Sequence, residues 1–171
     1  MNVDAVRTPE ELLEGLPDYP WESRYREVDG LRLAHLDEGE GKPVVFFHGE
    51  PTWSFLWRKV IPPVRDAGYR CIAPDYAGFG RSDKPTDVGW YTYDRHVELM
   101  ALLLEELDLR DATGGVNDWG GPIGLRIAVD CANGAYSGVA PQAFERCGAE
   151  VHAIGDAPDG SNINVGCGAT D

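Results

Sequence analysis

The run Pro43-Val44-Val45-Phe46-Phe47 is apolar without a break and closes on the turn-like string His48-Gly49-Glu50-Pro51. A strand with one wet face alternates polar and apolar residues. An unbroken β-branched and aromatic run is the pattern of a strand covered on both faces. Tyr69 to Ala73 repeats that pattern. Between the two runs, Trp53 to Ala67 carries aromatic and charged residues at helical spacing, with a break expected at Pro62-Pro63. Strand, helix, strand in this order requires a crossover, and so a parallel pairing.

The rest of the N-terminal three quarters fits that frame. Residues 8 to 24 are a polar lead-in with one short helix at Thr8 to Leu13, Thr8 as its cap and Pro9 in its first position. Leu31 to Leu36 alternates as a half-buried strand does. A loop, Asp75 to Asp83, follows the second apolar run. His96 to Leu109 is the clearest amphipathic helix, with Val97, Met100, Leu103, Leu104 and Leu107 on one face. Ala112 to Asn117 reads as a short strand, leading through a Gly-rich turn to a helix over Ile123 to Ala128. The expectation is an α/β fold with a mostly parallel sheet flanked by helices on both faces. After residue 130 the texture changes: a turn at Asp130 to Ala135, a short helix at Ala140 to Cys147, a strand at Glu150 to Ile154, and a loop-like Asp156 to Asp171.

Charge narrows the partners. With 29 acidic against 15 basic residues, the chain carries a net charge of -14. That field repels nucleic acid and anionic membranes and steers anionic substrates away, whereas a neutral substrate is unaffected. Its plainest use is solubility. The first residues, Met1 to Arg7, contain no apolar run, so no secretory leader is expected, and no stretch reaches membrane-spanning length. Cys71, Cys131, Cys147 and Cys167 stand far apart, without the spacing of a zinc site or a compact disulfide framework. Four reduced thiols in a cytoplasmic protein are the expectation.

The chemistry concentrates at Val116-Asn117-Asp118-Trp119-Gly120-Gly121. A strand, a sharp turn presenting a nucleophile, and glycines opening a helix form the nucleophile elbow of α/β-hydrolases. Here Asp118 stands in the nucleophile position, with the amides of the following helix directed at it. A serine must be deprotonated before it attacks; a carboxylate is already anionic at neutral pH. It suits in-line displacement at a saturated carbon, such as a carbon–halogen bond or an epoxide. Asp is equally at home as a helix N-cap, and taken alone the motif favours that reading. Context changes the balance. His48-Gly49-Glu50-Pro51 follows a buried strand, where this fold builds half of an oxyanion hole, so the backbone N–H groups of Glu50 and Trp119 would form the donor pair.

Thr8-Pro9-Glu10, Leu36-Asp37-Glu38-Gly39, His48 to Ser54, Ile72-Ala73-Pro74-Asp75, Gly78 to Pro85 and Asp118 to Pro122 together resemble haloalkane dehalogenases, in the subgroup with Glu rather than Asn after His-Gly. The resemblance spans residues 6 to 129. It implies the N-terminal part of an α/β-hydrolase domain, with the cap and C-terminal part missing. It further implies Asp118 as the nucleophile that forms an alkyl ester, the Trp119 indole N–H as a halide donor, and small neutral halogenated substrates. No metal and no organic cofactor is implied. Epoxide hydrolases share Asp-Trp-Gly on this fold, so an epoxide substrate is the alternative, and Glu50 separates the two because epoxide-opening relatives usually carry an apolar residue there.

Three departures accompany the resemblance. Gly114-Gly115 stands where that family carries bulky residues, and two strand glycines cost on the order of 1 kcal/mol each. The family's general base and its acid partner come later in the chain, and none of His35, His48, His96 or His152 stands in a matching context. Finally, Arg126 to Ala135, Ala140-Pro141, Gly148 to Val151, Ile154-Gly155-Asp156 and Pro158 to Asn164 resemble a segment of phosphoglucosamine mutase without its working loops. A chimera, joined near Leu125 to Val129 and poorly integrated over 130–171, is the resulting expectation, since one segment cannot be both the helix and the strand the two families require.

Overall fold

A computed structural model describes residues 3–109 and 111–125, and the strand residues 129–130 and 153–154. The strands are β1 (Ala5–Val6), β2 (Arg24–Val28), β3 (Leu31–Glu38), β4 (Pro43–Phe47), β5 (Arg70–Pro74), β6 (Lys84–Pro85), β7 (Thr113–Val116), β8 (Val129–Asp130) and β9 (Ala153–Ile154). The α-helices are α1 (Ile61–Asp66), α2 (Tyr93–Glu106) and α3 (Gly120–Leu125), with short 3-10 turns at Glu10–Leu12, Ser54–Lys59 and Val88–Trp90. The chain divides into two compact units, Met1–Gly121 and Pro122–Asp171. In the second, β8 and β9 pair in parallel.

The first unit is built on a five-stranded sheet in the order β2-β3-β5-β4-β7. The β5-β4-β7 part is parallel, and the β2-β3 hairpin is joined antiparallel to β5, so the described sheet is mixed. Both expected buried runs are strands: β4 matches its predicted span, and β5 begins one residue later than predicted. The crossover β4–α1–β5 moves one way across the sheet and β5–α2–β7 moves back past β4. Because such crossovers are right-handed, α1 and α2 lie on opposite faces. Leu36, Val44, Phe46, Cys71 and Ala73 form one face with Ile61 of α1 and the aromatic ring of Tyr19. The pleat turns Val45, Phe47 and Ile72 to the other face, that of α2, whose Leu99, Met100 and Leu103 are fully buried. Each such side chain contributes about 2 kcal/mol of apolar burial.

Several expectations are corrected. Thr8 does not cap a helix: the 3-10 turn Glu10–Leu12 has no side-chain cap, and the Thr8 hydroxyl donates instead to the carbonyl of Gly80. β3 is buried almost throughout rather than alternately, and the Asp75–Asp83 loop bonds along it through Ser82 to Ala34 and Asp83 to Arg32. Its Asp37 is tolerated there by a bidentate pair with Arg70, at 2.7 and 2.9 Å. Pro62-Pro63 does not break a helix; the 3-10 turn ends before Val60, and both prolines sit in the first turn of α1. α2 starts three residues earlier than expected, capped by Thr92, and buries Leu99, which the sequence reading left off its face. The predicted helix at Ile123 begins at Gly120; its residues 126–128 lie outside the described residues. So do the predicted turn after Asp130, the helix at 140–147, the first part of the strand at 150–154, and the last loop.

Gly114 and Gly115 behave differently from each other. A Cβ on Gly115 would stand 2.8 Å from the ring of Phe46, so Phe46 fills the space a larger residue would take. A Cβ on Gly114 meets nothing within 4 Å. β7 is the outermost strand of this sheet among the described residues, not a central one.

Candidate active site

In a parallel sheet whose crossovers diverge to opposite faces, the loops at the carboxyl ends of the two diverging strands leave a crevice between them. Here those strands are β4 and β7, and their loops are His48–Pro51 and Asn117–Trp119. The Asn117 N–H donates to the carbonyl of Phe47 at 3.2 Å, which carries the ladder one residue past β7. Asp118 then turns the chain with φ +52, a left-handed conformation that non-glycine residues rarely hold. The Gly121 N–H closes the turn onto the carbonyl of Asp118 at 2.8 Å, and that of Gly120 onto Asn117 at 2.9 Å.

The two loops pack without room for side chains. A Cβ on Gly120 would lie 2.2 Å from the carbonyl oxygen of Phe47, and one on Gly49 would lie 2.3 Å from the Cβ of Asp118. This close approach brings the Glu50 N–H to Oδ1 of Asp118 at 3.2 Å. Asp118 and Glu50 are therefore brought together as the motif spacing predicts. Trp119 follows Asp118 with its indole half exposed (49%) and its ring 6.3 Å from that of Tyr93.

Behind the turn, His48 is fully buried and both ring nitrogens are engaged. Nε2 accepts the N–H of Tyr76 at 3.0 Å, so the proton of the neutral ring is on Nδ1, which donates to the carbonyl of Gly49 at 3.0 Å. Burial holds this imidazole below its ordinary pKa, consistent with a neutral ring. The same Gly49 oxygen accepts from the Thr52 hydroxyl at 2.7 Å and from the Thr52 N–H at 3.0 Å.

Asp75, which the sequence reading placed only in a loop, organises the other wall. It is fully buried at the end of β5; Oδ1 accepts the N–H of Ser54 at 2.8 Å and Oδ2 that of Arg81 at 2.9 Å. One carboxylate thus ties the loop after β4 to the loop after β5. A carboxylate directly after a buried strand was the available signal. Among the described residues no group of His, Cys, Asp and Glu is placed to hold a metal ion, and no helix is long and apolar enough to cross a membrane. Cys71 is a buried free thiol; the other three cysteines lie outside the described residues.

Residues 42–130, just over half of the chain, match the family model for the alpha/beta hydrolase fold. The chain belongs to the α/β-hydrolase fold family. Within it, the chain is similar to a haloalkane dehalogenase of Mycobacterium marinum, 50% identical over 135 residues, which cover 75% of this chain and 46% of that protein. The structure is similar to that of a haloalkane dehalogenase from Paraglaciecola agarilytica, with TM-score 0.69 and 41% identity over 75% of this chain and 49% of the other. It is also similar to an epoxide hydrolase from Vigna radiata, with TM-score 0.59 and 32% identity over 62% of this chain and 34% of that one. The chain spans about half the length of the curated relatives it matches. The matched residues include the turn at Asp118 and the loop facing it, His48–Pro51.

Proposed function

We propose that Asp118 is the nucleophile of a haloalkane dehalogenase-type hydrolase acting on small neutral halogenated substrates. One carboxylate oxygen attacks a saturated carbon in line with its halogen; a C–O bond forms, the C–X bond breaks, and halide leaves with the electron pair. The observation that carries this reading is Asp118 itself, held at φ +52 at the carboxyl end of β7 with the Glu50 N–H on Oδ1. A carboxylate aimed by a backbone donor from the facing loop is what displacement needs, and a helix cap does not need the second loop. In this reading the N–H groups of Glu50 and Trp119 stabilise charge on the ester oxygen, and the indole of Trp119 donates to the departing halide.

Cleavage of the ester requires a base facing Asp118, and the described histidines are committed elsewhere. His48 is bonded at both nitrogens, His35 lies buried on β3, and His96 packs against Tyr76, Trp90 and Tyr91. His152 lies outside the described residues. The described half supports the first step, so alkylation once per chain is the expected reaction. An epoxide is the alternative electrophile, favoured by the likeness to the Vigna radiata enzyme and opposed by the polar Glu50. Exposure of the purified chain to 1-bromobutane and to 1,2-epoxybutane separates them. One equivalent of bromide released and no reaction with the epoxide supports the halide reading; the reverse overturns it.

Two coarser proposals accompany it. The chain acts in the cytoplasm, in keeping with its reduced Cys71 and acidic surface. Residues 130–171 are a phosphohexomutase-like segment joined to the hydrolase half, a reading supported by the family match ending at residue 130. In this reading the join is a fused or misassembled reading frame, which resequencing the locus tests: two separate intact genes support it, and one continuous, expressed message counts against it.

A further inference from the structure

We infer that Thr52 and His48 form a peptide lock that keeps the Glu50 N–H turned toward Asp118. The inference rests on the reading of Asp118 as the nucleophile, and it concerns how that nucleophile is aimed. The peptide joining Gly49 to Glu50 is trans, so its C=O and N–H point in opposite directions. Fixing one end fixes the other. The oxygen end accepts three donors: the Thr52 hydroxyl at 2.7 Å, the Thr52 N–H at 3.0 Å and Nδ1–H of His48 at 3.0 Å. The nitrogen end then meets Oδ1 of Asp118 at 3.2 Å.

Glycine at position 49 makes the lock necessary. No side chain can stand there, because a Cβ would collide with Asp118, and a glycine peptide rotates more freely than any other. A flipped peptide would withdraw the N–H and present the Gly49 carbonyl dipole to the Asp118 carboxylate, a like-charge approach that pushes the nucleophile away. The fold opposes the flip from two sides. Thr52 reaches back along its own loop, while His48 anchors the same oxygen to the β5 loop through the Tyr76 N–H at 3.0 Å. Three donors on one carbonyl exceed what a simple turn needs, where a single i to i+3 bond suffices. Thr52 and His48 are accordingly positioning residues: neither touches the reacting atoms.

The test compares full-length wild type, Thr52→Val and Thr52→Ser. Valine keeps the shape and the backbone N–H and deletes the hydroxyl donor; serine restores it. The first readout is the rate of alkylation by 1-bromobutane, followed by intact mass. The second is the amide proton shift of Glu50, which responds through the 3.2 Å hydrogen bond when Asp118→Asn is added to replace the carboxylate. Loss of one neutral hydrogen bond corresponds to a shift of roughly fivefold to tenfold in the flip equilibrium. Thr52→Val is expected to alkylate more slowly, by up to that factor, with a weakened Glu50 response, and Thr52→Ser to recover both. Alkylation of Thr52→Val at the wild-type rate overturns the inference. If wild type forms no adduct, the reaction itself is refuted and the amide shift decides alone: a full Glu50 response in Thr52→Val overturns the lock, and its loss upholds it.

Discussion

Oδ1 of Asp118 lies 3.2 Å from the backbone nitrogen of Glu50, although the two residues stand 68 positions apart in the chain. Two adjacent parallel strands, β4 and β7, bring their carboxyl-end loops to one crevice, and glycines at 49 and 120 let the backbones touch. That contact turns a motif read from spacing into an arrangement with chemical direction.

The absence of a side chain at Gly49 is therefore a requirement. In Gly49→Ala the new Cβ would stand 2.3 Å from the Cβ of Asp118, 2.7 Å from its Oδ1 and 2.9 Å from the carbonyl oxygen of Asn117. Two of those neighbours belong to Asp118. We expect a loss of about 1–3 kcal/mol in urea unfolding, as for other overpacked sites, and no detectable alkylation. Alkylation at the wild-type rate would show that the loops separate without consequence.

Asp118 holds a left-handed backbone that glycine adopts without strain. Asp118→Gly should remove the proposed nucleophile while keeping or raising the melting temperature, by the equivalent of up to about 1 kcal/mol. A marked fall in melting temperature would assign Asp118 a structural role as a cap and weaken its reading as a nucleophile.

The paired glycines of β7 give opposite expectations. A Cβ on Gly114 meets nothing within 4 Å among the described residues, so Gly114→Thr should stabilise the strand by roughly 0.5–1 kcal/mol. At Gly115 the ring of Phe46, itself buried, occupies the place of a Cβ, and Gly115→Thr should destabilise by about 1–3 kcal/mol. Chemical denaturation of both variants checks this, and equal effects at the two positions would contradict it.

His35 should make the fold sensitive to mild acid. It is 1% exposed, neither ring nitrogen has a hydrogen-bond partner among the described residues, and burial lowers its pKa from 6.5 to about 4. Between those values the unfolded chain takes up a proton that the folded chain refuses. Stability is therefore full above pH 6.5 and falls as the pH drops toward 4, by on the order of 3 kcal/mol. Burial also lowers His48 and His96, which act in the same direction. Asp37, held low by its bond from Arg70, contributes in a separate window, below its ordinary value of 3.8. His35→Leu should raise the unfolding free energy from urea titration at pH 7 by about 1 kcal/mol and flatten its decline between pH 6.5 and 4.5. A decline as steep as that of wild type would place the acid sensitivity elsewhere.

What could be read from the residues followed from burial. β4 and β5 are covered on both faces, and a doubly covered strand leaves an unbroken apolar run that composition alone reveals. β2 was missed because it edges the sheet with Arg24, Arg26 and Glu27 exposed, although Asp29-Gly30, with φ +47 and +79, is the tight hairpin turn that joins it to β3. Alternation failed on β3 because His35 and Asp37 go inward, Asp37 with an arginine partner. At the site, the meeting of the Asp118 turn with the Glu50 loop was legible from motif and order. Thr52 and Asp75 were not, since both act on backbone atoms, the oxygen of Gly49 and the nitrogens of Ser54 and Arg81, whose positions only the fold sets.

The most direct measurement is an intact mass of the purified chain after incubation with 1-bromobutane, followed by peptide mapping. The account predicts a gain of one butyl group per chain, on Asp118, with none in Asp118→Asn. An unmodified chain, or a butyl group carried on another residue with Asp118 untouched, would contradict it.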